Sequence, residues 1–388
     1  MAAPPCPGVH LLVAALMLAY QTLDAMDGKV ARARKLSSPL GALLDHGLDA
    51  LMIVLFTAIT VLTMDREGLA GPVTDPMVFL GFFAVPAAWY CAQVDQALSG
   101  VMDTRGITEA EFIIVGVCLA TAALGPEAWS TELLVLGRRT TLCRAIFSCM
   151  IALALLSEVA GGGPGPRPEG PEAGNSCISV WRRRPGSPAR LQPEQPERRP
   201  QARTPGGVRL HAVHGRGSAC RWPHLWQALV LWGLAIVACS VRASRRGAPR
   251  ECLAWAAALL PLALNGAAHA ACAAWSPAQA AEVPGQRLVA QLGYAISGTT
   301  FGAIAVRLIL SSQFCGRGVP GLPWAPLLPC ALGALVRQLG PAAAVLPVLL
   351  AALAAQLAGL AAVFVGVCLQ VSRELGVPVL SVPAAHRE

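Results

Sequence analysis

Residues Tyr20 to Leu51 read YQTLDAMDGKVARARKLSSPLGALLDHGLDAL, placing Asp24, Asp27, Asp45, Asp49 and His46 in segments otherwise apolar enough for membrane helices. The spacing is Asp24-x2-Asp27-Gly28-x2-Ala31-Arg32-x8-Gly41-x3-Asp45-x3-Asp49. Residues three or four apart share a helix face, so Asp24 pairs with Asp27 and Asp45 with Asp49. Between the pairs, Ser38-Pro39 reads as an N-cap followed by proline at the first helical position. The pattern predicts two helices, each turning a pair of carboxylates towards a common point at one membrane edge.

A carboxylate inside a membrane helix costs roughly 2.5–3.5 kcal/mol on insertion scales and usually marks function. Four of them converging in a low dielectric cannot all stay ionised without cations. Carboxylate oxygens are the ligands that Mg²⁺ or Mn²⁺ prefers, and such a cluster suits phosphoryl transfer. Gly28 leaves room for a phosphate or nucleotide beside the helix backbone, and Arg32 offers a fork for a phosphate.

The rest of the chain supports a membrane setting. Of 388 residues, 55% are hydrophobic and 13% charged, and the mean hydropathy is +0.55. The expected fold is all-α, a polytopic transmembrane helical bundle with roughly nine to ten spans. The spans read as 8–26, 42–63, 77–99, 108–126, 141–160, 225–243, 251–274, 287–311 and 342–370. The run Leu322–Val336 is short and interrupted by Pro323, Pro326 and Pro329, and reads as a re-entrant or interfacial piece. The apolar run His10–Tyr20 has no Lys or Arg before it and leads into the acidic pair, so it reads as a retained helix rather than a cleaved signal.

Lys29, Arg32, Arg34 and Lys35 follow the first span, which puts that loop and the acidic site in the cytoplasm by the positive-inside rule. Residues 161–224 carry eleven Arg, no Lys and four Glu, so nearly all of the +8 net charge lies there. That stretch is rich in Pro and Gly and reads as a disordered cytosolic insertion. It divides a catalytic transmembrane region, 1–160, from a C-terminal transmembrane region, 225–388. It lacks interleaved aromatics or a binding fold, so no nucleic-acid partner is expected. The thirteen Cys are scattered without a CxxC pair, which points to neither a disulfide framework nor a zinc site.

The full spacing, with YQTLDAMDGK and SSPLGALLDHGLDAL around it, resembles the CDP-alcohol phosphotransferase (CDP-alcohol phosphatidyltransferase) family, and its choline/ethanolamine phosphotransferase branch in particular. Trp89-Tyr90-Cys91-Ala92-Gln93, Ile107-Thr108-Glu109 and Val367-Cys368-Leu369-Gln370-Val371 extend the likeness. Val94 and Asp95 stand where the branch tends towards Trp and Glu. Only 23 residues precede Asp24, where the family pattern has an amphipathic segment and a further helix.

The resemblance implies transfer of phosphocholine or phosphoethanolamine from CDP-choline or CDP-ethanolamine to diacylglycerol, with release of CMP. It implies Mg²⁺ or Mn²⁺ held by Asp24, Asp27, Asp45 and Asp49, with Asp49 or its neighbour His46 as general base. Gly28, Arg32, Gly41, Asp95 and Glu109 become substrate-contact candidates. The implied setting is the endoplasmic reticulum or Golgi membrane. Head-group choice stays undecided, and a homodimer stays open as the assembly. Two alternatives also stay open: a relative using another alcohol, and a non-catalytic paralogue acting as a partner subunit. A transporter would be expected to show inverted repeats, and the chain has no such symmetry.

Overall fold

The computed structural model describes residues 6–34, 39–64, 76–99, 107–135, 137–160, 251–273, 286–314, 320 and 323–375. The insertion at 161–224 and the expected span at 225–243 lie outside these residues. The described elements are α1 (Pro7–Ala33), α2 (Pro39–Met64), α3 (Pro76–Ser99), α4 (Ile107–Leu124), a 3₁₀ turn (Pro126–Ser130), β1 (Glu132–Val135), β2 (Arg138–Thr141), α5 (Leu142–Ala160), α6 (Glu251–Ala273), α7 (Gln286–Ile309), α8 (Trp324–Leu339) and α9 (Ala342–Leu375). α2 starts on Pro39, where the proline suits a first helical position with its missing N–H.

Five described helices are long and apolar enough to cross a membrane: Pro7–Ala33, Gly41–Met64, Leu253–Ala271, Leu288–Ser312 and Ala343–Gln370. Helices of this length and apolarity make the chain an integral membrane protein. The expected spans 77–99, 108–126 and 141–160 are also helices, α3 to α5. The short run at 322–336 forms α8, a continuous 16-residue helix packed on α6, α7 and α9. Among the described residues one element departs from an all-α fold, an antiparallel hairpin pairing Glu132 with Thr141 and Val135 with Arg138. Its turn uses Gly137 at φ 76°, a left-handed conformation that side chains with a Cβ adopt reluctantly.

α3 is the axis of the bundle. From Gly81 to Asp95 every residue except Ala88 is buried, sheathed by α2, α5, α6 and α7. A helix apolar on all sides needs such an interior position. Phe82, Trp89 and Tyr90 of α3 share one core with Leu259 of α6 and Phe301 of α7. The Tyr90 hydroxyl donates to the Ala258 carbonyl at 3.1 Å, tying α3 to α6. Two polar side chains in the C-terminal helices are hydrogen-bonded likewise. Asn265 Nδ2 donates to the Ser297 carbonyl at 3.0 Å, and Gln356 Nε2 donates to the Pro326 carbonyl at 2.7 Å. In hydrocarbon such groups must be satisfied within the protein.

Two contacts fix the site-bearing helix. Gly298 and Gly302 of α7 face Val54 and Leu51 of α2, so close that a Cβ on Gly302 would lie 2.6 Å from Leu51 Cδ2. Small residues four apart let the two backbones approach, as membrane helix pairs commonly do. On another side, a Cβ on Gly47 would lie 2.9 Å from Phe364 of α9. At the opposite end of α4, the buried Trp129 Nε1 donates to Thr121 Oγ1 at 2.8 Å and anchors the 3₁₀ turn. Thr121→Val strands that indole N–H, so we expect a loss of about 1–3 kcal/mol. A lower melting temperature in detergent, recovered by adding Trp129→Phe, is the check.

Candidate active site

Asp24 lies in the C-terminal half of α1, and Asp45 and Asp49 lie about two and three turns into α2. One carboxylate oxygen from each comes within 4.8 Å of the other two, and all three residues are half-buried. The two helices thus converge on one point, as the spacing predicted, with three of the four aspartates. Asp27 is exposed and stands outside that trio, though it acts electrostatically on Asp24 and Asp45.

The surrounding groups define the rest of the site. A Cβ on Gly28 would lie 3.3 Å from Arg32 Nη1, so the guanidinium folds back over the glycine. From there Arg32 acts electrostatically on Asp45. His46 lies between two partners: its Nδ1 is 3.4 Å from Gln93 Oε1, and its Nε2 is 3.9 Å from Asp45 Oδ2. A carbonyl oxygen facing Nδ1 matches an Nδ1–H tautomer, which leaves Nε2 as the basic nitrogen. Gly41 is exposed near the start of α2. Asp95 is 2% exposed on α3 and is not one of the trio. Glu109 falls in the first turn of α4, and its side chain lies outside the described residues.

Three residues join the site that the sequence reading did not assign to it. Tyr20 donates its hydroxyl to Asp49 Oδ1 at 2.8 Å. Gln93 reaches His46 from α3. Glu111 of α4 is near enough to act electrostatically on Asp24 and Asp49. Tyr20 was the most findable, since it precedes Asp24 by one helical turn and so shares its face. Gln93 and Glu111 come from other helices, and nothing local to them points at the aspartates.

An all-oxygen donor set of half-buried carboxylates on two rigid helices fits Mg²⁺ or Mn²⁺. A neutral or cationic ligand set would not, and without a cation three like charges at this separation repel.

Residues 6–94 match the family model for CDP-alcohol phosphatidyltransferase. That segment holds all four aspartates. The chain is 35% identical over 126 residues to Cholinephosphotransferase 1 of Xenopus laevis, covering 32% of this chain and 30% of that one. It is 33% identical over 172 residues to Choline/ethanolaminephosphotransferase 1 of Arabidopsis thaliana, covering 40% and 41%. With Ethanolaminephosphotransferase 1 of Mus musculus it shares 33% over 144 residues, covering 37% and 35%. The chain thus spans well under half the length of these relatives.

Proposed function

We propose that this protein transfers phosphocholine or phosphoethanolamine from the corresponding CDP-alcohol to diacylglycerol, as a membrane enzyme of phospholipid synthesis. The observation that carries the reading is the trio Asp24, Asp45 and Asp49, converging from two apolar helices within the matched segment. In the reaction the diacylglycerol hydroxyl oxygen attacks the phosphorus that bears the alcohol. The bond from that phosphorus to the bridging oxygen breaks, CMP departs with the electron pair, and the hydroxyl proton passes to a base.

On this reading Asp24, Asp45 and Asp49 hold the metal, with Asp27 adding charge from the rim. A bound divalent ion would neutralise charge developing on the phosphate oxygens. Arg32, lying over Gly28 beside the acids, orients a phosphate, and Gly41, Asp95 and Glu109 are assigned to substrate contact. His46 Nε2 is the better placed base, because Tyr20 occupies one oxygen of Asp49 while the carboxylate also faces the trio. Residues 1–160 carry the chemistry, and α6, α7 and α9 brace α2 and α3. The inferred setting is the endoplasmic reticulum or Golgi, with the site towards the cytoplasm beside Lys29, Arg32 and Arg34.

The test is CMP release by purified protein given CDP-choline or CDP-ethanolamine with diacylglycerol. Activity should require Mg²⁺ or Mn²⁺, vanish with EDTA and return on adding metal. No CMP from either donor under any metal condition would sink the proposal. Comparing Asp49→Asn with His46→Gln at saturating metal separates the bases. Only the metal-ligand change should shift the metal concentration needed for half-maximal rate.

A further inference from the structure

α1 packs along α4, while α2 packs along α3, α4 and α7, and α1 shares no extended backbone contact with α2. The acidic residues of the two helices must nevertheless meet within 4.8 Å. Tyr20 bridges them beside the Asp24 carboxylate and the apolar cluster in which Ala14 and Met17 of α1 meet Phe56 of α2. Its ring meets Phe56 of α2 edge-on, with centroids 5.4 Å apart and planes at 78°. Its hydroxyl donates to Asp49 Oδ1 at 2.8 Å. Phe56 lies two turns beyond Asp49 on α2, so the ring and the hydroxyl grip the same stretch of that helix.

We propose that Tyr20 is the positioning residue that registers the two acid-bearing helices and orients the Asp49 carboxylate towards Asp24 and Asp45. The inference rests on the metal-site reading above and deepens it. One oxygen of Asp49 accepts from the phenol, which restricts the carboxylate plane beside the shared centre. Partners that hold a metal ligand in place typically change metal affinity or activity roughly 10–100-fold when removed. Neither the spacing motif nor the trio itself assigns that role, since Tyr20 precedes the first aspartate.

Tyr20→Phe tests the idea because it keeps the ring against Phe56 and deletes only the donor. Mn²⁺ affinity of the full chain in detergent, read by the electron paramagnetic resonance of free Mn²⁺, should weaken roughly 10-fold or more. The apo melting temperature should stay near wild type, and KM for the CDP-alcohol should change less than kcat. Phe56→Leu keeps the hydroxyl but loosens the ring, and its Mn²⁺ affinity should fall between the other two. Affinity within about twofold of wild type in Tyr20→Phe would show a packing role alone and overturn the inference. A wild-type chain that binds no Mn²⁺ would overturn it as well. A wild-type chain that binds Mn²⁺ but releases no CMP would instead defeat the proposed reaction, and the Tyr20→Phe affinity would still decide this point.

Discussion

Asp45→Asn should reduce CMP release on the order of a thousandfold while leaving the protein inserted and folded. The substitution keeps the shape of the side chain and removes one anionic oxygen from the trio. It also takes away the carboxylate nearest His46 Nε2. Losing a charge that neutralises a phosphoryl-transfer site usually costs about 10²–10³ in rate. The same change should stabilise the metal-free protein, because it relieves repulsion among three carboxylates held close together. The apo melting temperature of Asp45→Asn should therefore rise, and the extra stabilisation that Mn²⁺ gives wild type should shrink. Wild-type rates in this variant would show that the trio is not the reaction centre. An apo melting temperature below wild type would show that Asp45 is chiefly a structural acceptor.

Gly298→Ala should have the largest effect among changes away from the acids. The added methyl would fall on Val54 Cγ1 of α2 and push the acid-bearing helix off α7. Overpacking of this kind costs about 1–3 kcal/mol. Because α2 carries Asp45 and Asp49 within three turns of Val54, the displacement should also weaken metal binding. Adding Val54→Ala removes the colliding methyl, and stability and activity should recover together in the double variant. Recovery of neither would mean that the glycine serves something other than this helix contact.

The aspartate spacing was legible because it is local: a period of 3.6 residues fixes which side chains share a helix face. The start of α2 at Pro39 and the five long apolar helices followed from equally local signals. What periodicity does not carry is which neighbour a face meets. Asp24 and Asp27 share a face of α1 in sequence terms, yet only Asp24 turns into the trio, because α4 and the Tyr20 bridge set the rotation of α1. Gln93 and Glu111 reach the site only through the packing of α3 and α4. The run 77–99 read as one more membrane span, and its apolarity alone did not tell that α2, α5, α6 and α7 surround it among the described residues. The hairpin at 132–141 was hidden inside the connection between two expected spans, where four-residue strands leave little pattern to see.

α9 has 34 residues, about 51 Å at 1.5 Å per residue, against a hydrocarbon layer of about 30 Å. Phe364 is keyed against Gly47, between Asp45 and Asp49 in sequence, so its last eleven residues run on past the level of the acids. A helix longer than the layer it crosses answers changes in thickness by tilting. A helix of that length, keyed to α2 through Phe364 and Gly47, would couple the depth of the carboxylates to the thickness of the surrounding lipid. On the proposed reading, that lipid is also the material the site makes.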